Sequence, residues 1–349
     1  MTPVIAKVAT LPIPVLSVTE LIEKLKWEID GVLEPLLSTK ESYALLDFPD
    51  HDNCGDSLIW CGERAYFKKK GLSAVYTSGH EVLFTDELRR NSAKDAVILL
   101  TGGGSFGDLW PSFQGFREEI ITRFPDRKII QLPQTIYFKN MENLKKCKEI
   151  INSHPNFTLL VRDQQSLNLA RNEFKVKSLL CPDMAFELGP ITRPIMPTKK
   201  IVWLARIDIE SAGKIPPVDE DVIDWKMNEP KVLRKFDWFI RDQITNRPRA
   251  LRNFWPLLSW TDDLLAREQS KRACQLLSRA QVIVTDRLHG HILSLLMGIP
   301  HVCYDNAYGK IRRFYETWTQ DSPITRWADS PIEALHIAKA LVFEKGVSS

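Results

Sequence analysis

The chain has 349 residues, of which 44% are apolar and 26% charged, and its 47 basic residues nearly balance 44 acidic ones. A net charge of +3 without a long basic run argues against a nucleic-acid binder, and the length suits two packed domains of ordinary composition. Six cysteines (Cys54, Cys61, Cys147, Cys181, Cys274 and Cys303) include no CxxC pair; they read as reduced thiols and give no zinc pattern.

The first 17 residues are apolar but interrupted by Pro3, Pro12 and Pro14, which spoils a signal-type core. No window reaches the roughly 18 apolar residues of a spanning helix. A soluble cytoplasmic protein is expected, with peripheral contact at the inner face of a membrane left open. Apolar periodicity then predicts a helix over Val18–Leu36. Tyr43–Phe48 reads as a strand and Ser57–Lys70 as a helix, with Gly71 as its C-cap. Short strands are expected at Ala74–Thr77 and Glu81–Thr85. Ala96–Leu100 is a continuous apolar run, hence a buried parallel strand, and it empties into Gly102-Gly103-Gly104. A helix at Phe113–Phe124, a strand at Lys128–Leu132, a helix at Met141–Ile151 and a strand at Thr158–Val161 follow. Gln164–Asn172 is then helical and Ser178–Cys181 extended. This alternation predicts a doubly wound α/β sheet. The Pro-rich stretch Gly189–Lys200 reads as a linker before a second series. That series has a strand at Lys200–Ala205, an irregular acidic stretch at Ile209–Asp224, and helices at Val232–Thr245 and Gln269–Arg279. The aromatic stretch Phe254–Trp260 sits between these helices. A strand at Gln281–Thr285, a helix at His289–Met297, a strand at His301–Tyr304 and a last helix at Pro331–Phe343 complete the chain.

Two motifs fall at the carboxyl ends of strands, where open α/β sheets bind ligands: Asn53-Cys54-Gly55-Asp56 and Asp286-Arg287-Leu288-His289-Gly290. Helix starts there offer free N–H groups and a positive dipole end to phosphate or carboxylate. Asp56 is either a first-turn carboxylate or a group that takes a proton from an acceptor hydroxyl. Arg162 ends a strand and can grip an anion bidentately, whereas Asp163 suits an N-cap. His289 is either a satisfied helix-start histidine or a general acid beside a bound anion. His291 is expected to face away or into the core, and His51 is a weaker proton donor. Gly102, Gly104 and Gly107 satisfy GxGxxG, but Asp126 precedes the next strand instead of ending it, which argues against a dinucleotide site. A tight glycine turn, with or without a ligand, remains.

Taken in order, the chain resembles the polysaccharide pyruvyl transferase family. The resemblance rests on Asn53-Cys54-Gly55-Asp56, Gly102 to Asp108, Gln131-Leu132-Pro133-Gln134-Thr135 and Arg162-Asp163. It continues through Cys181-Pro182-Asp183, Asp286 to Gly290 and Leu296-Met297-Gly298-Ile299-Pro300. It implies two Rossmann-like domains facing each other in a GT-B-like arrangement. The boundaries would be 1–189 and 190–330, with residues 331–349 packing back across the hinge. It implies transfer of the pyruvyl group of phosphoenolpyruvate, as a cyclic ketal, onto a sugar of an exopolysaccharide or cell-surface glycan precursor. Phosphoenolpyruvate would be a co-substrate, with no cofactor and no metal. By the same resemblance Arg162, Arg287, Leu288 and His289 would hold the donor, and His289 and Asp56 would be catalytic. Asn53, Gly55, Gly103, Gly104, Asp108, Gln134 and Arg206 would line the surrounding loops, with Asp108 a second candidate base. The acceptor would be a sugar or a lipid-linked oligosaccharide. Phe254–Trp260 and Ile209–Asp224 are expected to shape its site, unless Trp255 and Trp260 are core residues. Two rivals are a GT-B glycosyltransferase using a nucleotide sugar and a non-catalytic glycan-binding relative.

Overall fold

The computed structural model describes residues 16–38, 41–79, 88–89, 95–206, 220–225, 231–246 and 254–347. The strand expected over Glu81–Thr85 and most of the acidic stretch from Ile209 lie outside them. The chain begins with α1 (Val18–Leu33), started by a capping box. Ser17 Oγ accepts from the Glu20 amide at 3.2 Å, and Glu20 Oε2 accepts from the Ser17 amide at 2.7 Å. Leu21, Ile22, Leu25, Ile29 and Leu33 recur at helical spacing and are buried.

A first sheet follows in the order β2-β1-β3-β5-β6-β7, with β4 also on β5. Its strands are β1 (Tyr43–Phe48), β2 (Ala74–Gly79), β3 (Val97–Leu100), β4 (Gly103–Gly107), β5 (Ile129–Tyr137), β6 (Phe157–Val161) and β7 (Lys177–Leu180). Every pairing is parallel. Between them run α2 (Cys54–Lys69), α3 (Pro111–Arg123), α4 (Met141–Ser153) and α5 (Gln164–Glu173). The period of two sorts each strand: Tyr43, Leu45, Val97 and Leu99 face α1 and α2, while Ala44, Leu46, Ile98 and Leu100 face α3, α4 and α5.

A second parallel sheet has the order β12-β11-β10-β8-β9. It comprises β8 (Lys199–Leu204), β9 (Asp221–Ile223), β10 (Ala280–Thr285), β11 (His301–Cys303) and β12 (Thr325–Trp327). Its helices are α6 (Lys231–Asn246), α7 (Trp255–Ser278), α8 (Leu288–Leu296), a single turn α9 (Lys310–Phe314) and α10 (Pro331–Val347). The Pro-rich stretch 189–198 lies between β7 and β8. One apolar cluster is shared by both sheets and holds α1, α2, α7 and α8 between them. Polar bridges reinforce it: Ser57 Oγ donates to Gln269 Oε1 at 2.8 Å, and Trp60 Nε1 donates to Asp263 Oδ1 at 2.9 Å. α10 covers the other face of the second sheet through Ala334 and Ala338, against β8, β10 and β11.

β9 is a strand inside the stretch read as irregular, and two further readings need correction. Gly103–Gly107 is a strand, not a turn. β3 and β4 are successive pieces along one edge of β5: Leu100 lies opposite Gln131 and Gly103 opposite Gln134. The break at Thr101-Gly102 is satisfied by buried side chains. Glu63 Oε1 accepts from the Gly102 amide at 2.8 Å, and Gln131 and Gln134 both donate to the Thr101 carbonyl, at 2.9 and 3.0 Å. The second correction is Phe254–Trp260, which is no spacer: α7 begins at Trp255, with Pro256 in its first turn, where the missing N–H costs nothing.

Candidate functional site

The carboxyl ends of both sheets converge on a cavity of about 720 Å³. From the first sheet come Asp47, at the end of β1, and Asn53 and Asp56 at the start of α2, with Gly102, Gly104 and Ser105 around the β3–β4 break. From the second come Arg206 after β8, Asp224 and Trp225 after β9, Arg287 after β10 and Lys310 at the start of α9. α6 closes one side with Arg234, Trp238 and Arg241.

α2 begins three residues earlier than expected because Asn53 caps it. Asn53 Oδ1 accepts from the Gly55 amide at 3.1 Å, and its Nδ2 donates to Asp56 Oδ2 at 2.7 Å. Asp56 is thereby fixed in the first turn, and its carboxylate also lies 3.4 Å from His51 Nε2. Asp47 holds a positive φ of 72° at an irregularity in the β1–β2 register. A non-glycine residue rarely adopts that conformation, and such strain concentrates at functional sites.

Arg162 and His289 stand immediately behind the cavity wall. A Cβ added at Gly104 would come within 3.0 Å of Arg162 Nη2 and 2.9 Å of Lys310 Nζ, and one at Gly55 would come within 2.4 Å of His289 Nδ1. Both glycines therefore let cationic or imidazole groups approach the backbone. A single carboxylate organises them. Asp183 Oδ2 accepts from Arg162 Nη1 at 2.5 Å and lies 3.3 Å from His289 Nε2, near enough for ion pairing but off line for a hydrogen bond. Its Oδ1 accepts from the Ala185 amide at 2.9 Å, capping a 3₁₀ turn at Met184–Leu188. Burial opposes charge on Asp183, but His289 and Arg162 beside it hold its carboxyl well below the usual range. Arg162 is completed by Thr135 Oγ1, which accepts from Nε at 3.0 Å.

On the opposite sheet Arg287 donates to Asp224 Oδ2 at 2.5 Å and to the Ala205 carbonyl at 3.1 Å. Asp286 accepts from the Arg206 amide at 2.8 Å, and burial raises its carboxyl to about 6. Glu63, under the glycine segment, is fully buried, and burial pushes its carboxyl well above the usual value.

Of the residues expected at the site, Asn53, Asp56, Gly104, Arg206 and Arg287 line the cavity, while Gly55, Arg162 and His289 back it. Gly103, at a φ of 141°, would put a Cβ 3.7 Å from Asp56 Oδ1. Gln134 is not on the wall. It supports the wall, with its Oε1 accepting from the Ser105 amide at 3.1 Å. The Leu288 side chain belongs to the shared core, which leaves its helix-start backbone as what it can offer a ligand. Asp108 is not among the lining residues: its carboxylate accepts from the Lys139 and Asn140 amides at 2.8 and 2.7 Å. It staples a loop. Trp255 and Trp260 are also absent from the lining: Trp255 packs on Tyr76 at 5.5 Å and Trp260 is exposed. Trp110, Phe113, Trp225 and Trp238 supply the cavity's aromatic surface instead. His291 is buried in the core as expected, its Nδ1 2.7 Å from His301 Nε2 and its Nε2 2.8 Å from Thr319 Oγ1. Sequence reasoning missed Asp183, Glu63 and Lys310 as site residues. Asp183 had a visible signal, since an Asp after Cys-Pro at a strand end is placed like Arg162.

Comparison with known proteins identifies the family. The family model for polysaccharide pyruvyl transferases matches residues 53–308. Pyruvyl transferase 1 of Schizosaccharomyces pombe is 33% identical over 287 residues, 79% of this chain and 69% of that protein. EpsO of Bacillus subtilis, provisionally named a pyruvyl transferase, is 30% identical over 309 residues, 86% of this chain and 92% of that one. A solved structure of a functionally uncharacterized Klebsiella pneumoniae protein superposes with a TM-score of 0.57 at 18% identity, covering 88% of this chain and 99% of that one; it speaks for the fold alone.

Proposed function

The chain belongs to the polysaccharide pyruvyl transferase family, and we propose that its cavity transfers the pyruvyl group of phosphoenolpyruvate onto a sugar as a cyclic ketal. The observation that carries the reading is the set of cations. Arg162 and Lys310 flank Gly104, and Arg206 and Arg287 share the cavity with Asp56. A donor with one carboxylate and one phosphate needs such a set. In this reading the two sheets are two Rossmann-like domains in a GT-B-like arrangement, each contributing one side of the site.

His289 delivers a proton to the methylene carbon C3, leaving C2 oxocarbenium-like. One sugar hydroxyl adds at C2 and the bond from C2 to the phosphate oxygen breaks. A second hydroxyl of the same sugar closes the ring. Of the two hydroxyl protons, one is accounted for by the new methyl group and the other leaves on phosphate. Asp56, held by Asn53, accepts a hydroxyl proton. No metal or further cofactor enters this scheme. The acceptor is a sugar of an exopolysaccharide or cell-surface precursor, recognised by the aromatic wall. Among the described residues no helix is long and apolar enough to cross a membrane; the reading places the protein in the cytoplasm, where a membrane-bound acceptor precursor is within reach.

Phosphate release from phosphoenolpyruvate, measured against a panel of sugar acceptors, tests the reading. Release that depends on acceptor is expected. Release of nucleotide from a nucleotide sugar, with phosphoenolpyruvate inert, would mean a glycosyltransferase. In the same assay Lys310→Met should raise the apparent donor KM about tenfold or more, because a charge-assisted contact is lost. An unchanged KM would remove Lys310 from the donor site.

A further inference from the structure

α6 is built inside out. Two of its charged residues, Asp237 and Arg241, are buried, while Phe236, Trp238 and Phe239 are 45%, 66% and 53% exposed. Arg241 is held inside by Asp237 and Asp262. A surface helix ordinarily does the reverse. Ile244 and Leu258 pack α6 against α7, whose first turns add exposed Phe254, Leu257 and Trp260. These rings are too many and too close in sequence to be scattered surface apolars. The face is continuous with the site, since Trp238 is both on the cavity wall and on the surface.

We propose that the outward face of α6 and the start of α7 docks the protein on an anionic lipid surface, with the cavity mouth beside the membrane. Phenylalanine and tryptophan rings settle at the headgroup level, and neighbouring basic residues add attraction to anionic lipid. The charge is of the right sign: leaving out the buried pair Arg241 and Asp237, residues 226–253 carry seven Lys and Arg against two Asp and Glu. The same surplus disfavours a second copy as the occupant, because a two-fold contact would set the positive segment against itself. The consequence for catalysis, that a membrane-bound acceptor reaches the cavity along this face, rests on the pyruvyl-transfer reading. The docking itself does not.

Sedimentation of the full chain with phosphatidylcholine vesicles, with and without phosphatidylglycerol, tests the proposal. Binding at least tenfold stronger to the anionic vesicles is expected, weakening as salt rises. The triple variant Phe236→Ser, Phe239→Ser, Trp260→Ser changes no cavity-lining residue. It should lose about tenfold or more of vesicle binding and keep phosphate release with a water-soluble acceptor within twofold. A melting curve checks that it folds; if it does not, Phe239→Ser alone and Lys235→Glu should each weaken binding several-fold. Failure of the wild-type chain to bind anionic vesicles, or equal binding by the variants, would overturn the proposal. So would a wild-type dimer in solution that these changes dissociate, which would assign the face to self-association. If vesicles bind but phosphoenolpyruvate is not consumed, the docking stands and the catalytic reading falls.

Discussion

His289→Gln should cut turnover by about 10²-fold or more while leaving donor affinity within a few-fold, since general-acid catalysis commonly contributes 10²–10⁴-fold. The change keeps polarity and approximate size but removes the transferable proton. The imidazole sits at the start of α8, against Gly55 and 3.3 Å from Asp183, so its orientation is set by groups the substitution leaves in place. Steady-state kinetics with varied phosphoenolpyruvate separate the two roles. A collapse in donor affinity with near-normal residual turnover would make His289 a binding group. His51, on the cavity wall 3.4 Å from Asp56, would then be the next acid to examine.

Asp183→Asn should be the most damaging single change to stability. Arg162 and Asp183 are both almost completely buried and joined at 2.5 Å. Removing one partner of such a pair strands the other charge in the interior and costs about 3–5 kcal/mol. Urea unfolding should report that loss as a lower midpoint with an unchanged slope. The sign with pH follows from the depressed carboxyl. Its folded value lies below the unfolded one, so its contribution is complete above the ordinary aspartate value of about 3.9 and is lost as the pH falls through the folded value. The Asn variant should lack that part of the acid sensitivity. A variant as stable as the wild type across this range would show that the Arg162–Asp183–His289 cluster is not an anchor of the site.

The strands whose hydrophobic pattern is local were readable to within a residue or so. β1 coincides with Tyr43–Phe48, and β3, β6, β8 and β10 lie where apolar runs placed them, because strands buried on both faces show as unbroken apolar stretches. β4 was hidden: in Gly-Gly-Ser-Phe-Gly only Phe106 has a strand-like side chain, and its pairing is dictated by β5 and by the buried Glu63 and Gln134. β12 is three residues long and leaves no periodic trace. The start of α7 was obscured by Pro256, which breaks a helix interior but is harmless in a first turn. At the site, the residues at strand ends were visible as strand–polar–helix junctions. Glu63 and Lys310 were not, since what brings them beside the glycine segment is the packing of α2 and α9. Buried carboxylates such as Glu63 look like surface residues of an amphipathic helix until the neighbouring backbone amide is known.

The central claim is that this cavity protonates C3 of phosphoenolpyruvate and builds a ketal at C2. Incubating the chain in D₂O with phosphoenolpyruvate and a sugar acceptor, and reading the product methyl group by NMR and mass spectrometry, tests it most directly. The account predicts a ketal whose methyl carries one deuteron, formed in step with one phosphate released. A product with no solvent deuteron in the methyl, or phosphoenolpyruvate left intact while a nucleotide sugar is consumed, would contradict it.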